Sequence, residues 1–220
     1  PSEDADGDGM LGPMEDLDGD GNLDLGAGLN HLAALNAEPG DLLLGTAITR
    51  GGCEVMLFSS AGKAVRFRES DVRAMGRTAR GVRGITLSAE QRMVSLIVPA
   101  DGGTILTVSE HGYGKRTPVA DFPTKGRATK GVIAMATSER NGAMVGATQV
   151  FDGDELMLIS NLGTLVRTRA DEVRLLGRNT QGVRIIRTRE GEFLVGVARI
   201  PEADVDAVEV GEATGSGRDE

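Results

Sequence analysis

A chain of 220 residues with a formal net charge of −9, 40% hydrophobic residues, two His and one Cys has room for one large or two small domains, and its lone Cys53 excludes an internal disulfide. No apolar run approaches the roughly 18 residues of a membrane span, so no membrane partner is expected, and the acidic opening residues lack a secretory signal pattern. Charge is unevenly divided: residues 1–40 hold ten acids and no Lys or Arg, residues 41–200 hold sixteen acids and twenty-three bases, and residues 201–220 hold seven acids against Arg218. A basic body between two self-repelling acidic flanks needs an acidic partner.

In chain order, the first segment, 1–40, contains an EF-hand-like loop. Asp4, Asp6 and Asp8 take loop positions one, three and five, Gly9 the sharp turn and Glu15 the twelfth. A second copy from Asp16 has Ala27 at its twelfth position, so its bidentate ligand is missing. An EF-hand clamps its loop between helices, and only three residues precede Asp4. The expectation is therefore an acidic, mostly disordered insertion, with calcium at Asp4, Asp6, Asp8 and Glu15 as the alternative. "LNHLAALNAE" reads as a short helix leading into the first strand. Because the chain begins at Pro1 and not Met, a processed or truncated piece is expected.

Residues 41–200 form a repeat. "GRTARGVRGI" starts at Gly76, "GRATKGVIAM" at Gly126 and "GRNTQGVRII" at Gly177. Fourteen residues before each lies another glycine, Gly62, Gly112 or Gly163, and four residues after that lies Arg66, Arg116 or Arg167. Apolar runs from Leu43, Met93, Met144 and Leu194 recur as the opening strand of each unit. Paired runs such as "EVMLFSSAGKAVRF" and the Asn141-Gly142 turn read as hairpins, and "ESDVRAM" and "ADEVRLL" as single helical turns. The prediction is an all-β fold of propeller-like blades, about four antiparallel strands in each repeat of about 50 residues. Blade boundaries are placed at 41–91, 92–141 and 142–200, with 201–220 an acidic disordered tail.

The GR-x-T-x-GV loops combine a cation, a hydroxyl and backbone N–H groups freed by glycine, which suits a phosphate. Arg77, Thr78 and Arg80 form the first cluster. Arg127, Thr129 and Lys130, preceded by Lys125, form the second, and Arg178 and Thr180 the third, weakened by Gln181 at its second basic position. Stacked blades would line these bases along one rim. The hairpin bases Arg66, Lys115, Arg116 and Arg167 either pair across strands or continue that track, the track being favoured for Lys115 and Arg116. Nothing resembles base readout, so binding would be directed at the duplex backbone.

The stretch "HGYGKRTPVADFPTKGRATKGV" and its two relatives resemble the C-terminal domain of DNA gyrase A subunits, in register over residues 41–200. The resemblance implies a β-pinwheel whose basic rim wraps double-stranded DNA to support ATP-driven negative supercoiling. It also implies, as partners, gyrase B together with the rest of gyrase A. A cytoplasmic, nucleoid-associated location is implied too, and no cofactor in this domain, with ATP and Mg used elsewhere in the holoenzyme. The family's Gln-Arg-Arg-Gly-Gly-Lys-Gly box is missing, its nearest relative being "KGRATKG" at 125–131, so the chain reads as about the last three blades. The alternatives are the counterpart domain of topoisomerase IV and a calcium-regulated propeller scaffold that binds protein. Tyr113, the only tyrosine, sits at a hairpin tip without a neighbouring acidic cluster, and the family's nucleophile lies outside the pinwheel. Tyr113 therefore reads as a structural or rim residue. With no Walker loop present, the domain serves an enzyme without being one. His31 and His111 lack metal-ligand spacing, and Cys53 reads as an ordinary thiol.

Overall fold

Alternating apolar and polar residues give each hairpin two faces, and glycine turns set where it folds back. The computed structural model describes residues 42–49, 51–75, 79 and 81–202. The first hairpin pairs β1 (Glu54–Ser59) with β2 (Lys63–Arg68), Phe58 standing opposite Ala64. The chain continues through β3 (Met93–Ile97) to a second hairpin, β4 (Thr104–Ser109) and β5 (Tyr113–Pro118), then through β6 (Val132–Ile133) and β7 (Met144–Val150). A third hairpin, β8 (Glu155–Ser160) and β9 (Leu165–Arg169), is followed by β10 (Val183–Arg184) and β11 (Leu194–Ile200). The fold is all-β and antiparallel, as the repeat predicts. The expected helical turns are 3₁₀ turns at Glu69–Asp71 and Ala170–Glu172, with a third at Val119–Asp121.

The sheets run β3-β1-β2-β6, β7-β4-β5-β10 and β11-β8-β9. Three features differ from the linear reading. The strands from Met93, Met144 and Leu194 pair with the hairpin before them, so they close sheets and do not open them. Leu43–Ile48 forms no strand and is largely exposed. The outer strand of a sheet also comes from the following repeat: β6 pairs with β2, and β10 pairs with β5. Among the described residues no such strand reaches β9, and the third sheet has three strands.

Side chains from two sheets meet between the blades. Met56, Phe58 and Ala64 of the first pack with Ile105, Phe122, Met144 and Ala147 of the second, the rings of Phe58 and Phe122 meeting edge-on at 6.0 Å. Leu106, Val108 and Val150 pack likewise against Leu156, Leu158, Val173 and Leu194. Each large apolar side chain removed from water contributes about 1.5–3 kcal/mol, so the blades are held by their shared interfaces. With β7 packed between β3 and β11, the crossing strands β6 and β10 occupy the opposite, outer edges of their sheets.

Candidate nucleic-acid interface

The outer edge is built where a loop of one repeat crosses onto the hairpin of the repeat before it. At the second hairpin tip Gly112 has φ +75°, and the chain of the next repeat passes so close that a Cβ would lie 2.4 Å from the Ile186 carbonyl oxygen. Ile185 N–H donates to the Gly112 carbonyl at 2.8 Å, fixing the crossing. At the third tip Gly163 has φ +81° but open space around it. The tip glycine of the second hairpin thus marks the point where the GR loop of the next repeat crosses.

The repeated hairpin arginine also acts across the crossing. Arg66 pairs with Glu54 and donates from one terminal nitrogen to the carbonyls of Val119 and Phe122, at 2.8 and 2.9 Å. Arg116 donates from Nε to the Val173 carbonyl at 2.8 Å and pairs with Asp152 at 3.1 Å. In both cases the carbonyls lie in the 3₁₀ turn of the next repeat or on the residue that caps it. Arg167, at the same position of the third hairpin, pairs with Glu155 and leaves 60% of its side chain exposed, against 13% for Arg116.

Lys115 is fully buried, and its ammonium donates to the carbonyls of Gly177, at 2.7 Å, and Arg178. Burial, helped by the nearby Arg178 charge, pushes its pKa down to about 8. Arg66, Arg116 and Lys115 therefore tie blades together, which their fixed spacing did not distinguish from a surface track.

The second and third GR loops remain outside. Arg127 donates from Nε to the Asp71 carbonyl at 2.8 Å and from a terminal nitrogen to the Arg83 carbonyl at 3.2 Å. Arg178 donates to the Ile133 carbonyl at 2.9 Å. Arg83 and Ile133 hold the same place in successive repeats, so the GR arginine links one loop to the loop before it. Both guanidiniums are half-buried and keep further N–H groups. Lys125, Thr129 and Lys130 are exposed, the Thr129 hydroxyl accepting from Gly131 N–H at 3.3 Å. Half-buried Thr180 donates its hydroxyl proton to the Gly177 carbonyl at 3.0 Å, and its own carbonyl accepts from Ala136 N–H. The structure thus brings Lys125, Arg127, Thr129 and Lys130 together on one crossing and Arg178 and Thr180 on the next.

Arg77, Thr78 and Arg80 lie outside the described residues, as do Asp4, Asp6, Asp8 and Glu15 of the EF-hand-like loop and the tail beyond Glu202. Among the described residues no three His, Cys, Asp or Glu side chains converge as a metal site, and no helix is long and apolar enough to cross a membrane. Arg140 and Arg184, which the motif spacing did not single out, are exposed and converge on Tyr113. The available signal was the recurrence of Arg83 and Arg184 at one offset after the GR pair. Arg174 and Arg187 are also exposed, with no carboxylate partner among the described residues.

Sheets that borrow their outer strand from the next repeat, with cationic loops at each borrowing point, define a propeller-type repeat domain. A family model described as DNA gyrase C-terminal domain, beta-propeller, matches residues 54–100, 103–150 and 154–201, more than half of the chain. The chain belongs to that family. It is 59% identical over 171 residues to the DNA gyrase A protein of Pseudomonas aeruginosa, covering 78% of this chain and 18% of that protein. It is 54% identical over 186 residues to the DNA gyrase A protein of Escherichia coli, covering 83% and 21%. The chain thus spans about a fifth of the length of these relatives. Among solved structures, a DNA gyrase A C-terminal domain superposes with a TM-score of 0.65 at 28% identity, over 70% of this chain and 53% of that one. A DNA topoisomerase IV C-terminal domain gives 0.66 at 22% identity, over 70% and 48%, a likeness of fold.

Proposed function

We propose that this chain is a non-catalytic, DNA-binding module of a bacterial gyrase, gripping the duplex backbone along the outer edge of its blades. The observation that carries the reading is the placement of Lys125, Arg127, Lys130 and Arg178 on successive crossing loops at that edge. Duplex DNA carries a charge about every 1.7 Å of axis, and a periodic row of cations with sequence-blind donors complements it. Bending the duplex around several blades would give the wrapped segment used for negative supercoiling, with bendable sequences favoured. The rest of gyrase A, with gyrase B, ATP and Mg, would supply strand passage, in the cytoplasm at the nucleoid. Identity to gyrase A proteins at 54–59% favours this assignment over the topoisomerase IV counterpart.

The test is binding of a labelled duplex of about 40 base pairs across a salt series, with and without calcium. With Arg66, Arg116 and Lys115 committed inside, about four phosphates would be neutralised, and log K should fall against log salt with a slope near −4. A slope near zero would overturn the reading. A calcium-switched affinity would favour the scaffold alternative.

A further inference from the structure

We propose that Tyr113, Arg140 and Arg184 form a phosphate clamp on the second blade, taking phosphodiester oxygens of duplex DNA; this rests on the DNA-binding reading above. Arg140 donates from Nε to the Tyr113 phenol oxygen at 3.2 Å, and Arg184 donates to the same oxygen at 2.8 Å. Their guanidinium carbons lie 5.1 and 5.2 Å from the ring centroid. Two full positive charges are thus gathered on one neutral residue. The ring quadrupole and the shared oxygen offset only part of their repulsion.

Among the described residues no carboxylate pairs with either arginine. Glu110, on the same hairpin, is occupied, accepting from Ala143 N–H at 2.8 Å. The remaining N–H groups of two exposed guanidiniums therefore converge on an anion-shaped gap in the charge balance.

The clamp is rigidly mounted. Tyr113 is only 3% exposed, and its backbone pairs with Arg184 across β5 and β10. Arg140 stands in a turn held by fully buried Asn141, which donates to the Ala136 carbonyl at 2.9 Å and accepts from Ser138 N–H at 2.8 Å. The two guanidiniums hold the phenol's pKa below its ordinary value, in keeping with concentrated positive charge. The position is special to this blade: the residue after the hairpin-tip glycine is Lys63 in the first repeat and Thr164 in the third. The crossing loop here is also the one in which Gln181 replaces a base, so the clamp restores the cation that the loop lacks.

The single tyrosine, in a chain without tryptophan, provides a direct reporter. The full chain carrying 3-fluorotyrosine should give one fluorine resonance that moves on adding a 40-base-pair duplex, with the midpoint seen by anisotropy. Arg140→Gln with Arg184→Gln should weaken binding by about tenfold or more and flatten the salt slope by about 2, the share of two phosphates. Tyr113→Phe keeps both charges but frees them, so affinity should fall a few-fold with the slope unchanged. If the duplex binds the unaltered chain while the resonance stays still and the double variant binds within twofold, the clamp is overturned and the DNA-binding reading stands. If the unaltered chain does not bind duplex at all, both fall. A shift produced by inorganic phosphate at concentrations no higher than those of duplex phosphate would overturn the assignment to duplex. If Tyr113→Phe fails to fold, the arginine pair and the fluorine signal still decide.

Discussion

Arg116 and Arg167 occupy one position of the repeat and differ only in what lies beyond them. Arg116→Ala strips donors from the Val173 and Asp171 carbonyls, so a loss of about 2–3 kcal/mol is expected from urea unfolding. Arg167→Ala removes one exposed pair, and the same measurement should give less than about 1 kcal/mol. Equal losses would show that capture of the turn is not what holds the blades. Lys115 adds a pH signature. Its folded pKa of about 8 lies below its ordinary 10.5, so the unfolded chain holds that proton more tightly. The penalty is complete below about pH 8 and is relieved as pH rises towards 10.5. Between pH 7.5 and 10, the unaltered chain should therefore gain urea midpoint relative to Lys115→Met. A gap that stayed constant would show that the buried ammonium is not strained. Sequence reading offered cross-strand pairing or a surface track for these positions and favoured the track for Lys115 and Arg116, because the carbonyls those two meet lie 55 to 63 residues away.

At the scale of elements, the hairpins were legible and the crossings were not. Alternating apolar runs around Gly62, Gly112 and Gly163 encode β1–β2, β4–β5 and β8–β9 locally. A repeat gives its period but not its phase, so nothing local assigned the strand from Met93 to the hairpin before it, nor the two-residue β6 to β2. The glycines carry the missing information as space. Gly112→Ala meets both a positive φ and the Ile186 backbone, so it should cost several kcal/mol and dislodge β10. Gly163→Ala meets the φ alone and should cost about 1 kcal/mol. Comparing the two by thermal unfolding tests whether the tip glycine exists for the crossing.

The whole molecule couples a basic body to acidic flanks, and the opposite signs compete. Deleting residues 1–38 or 203–220 removes ten and six acids respectively and should tighten duplex binding several-fold at low salt, the effect fading as salt screens it. Unchanged affinity would make the flanks simple spacers. The exchange of outer strands also has a consequence in time. The first hairpin ends at Arg68, but the strand that completes its sheet begins at Val132. At about 5–20 residues per second, a ribosome needs on the order of 3–13 seconds to deliver that strand. During synthesis each blade waits with an unpaired edge for its successor, a template on which a neighbouring nascent chain could pair.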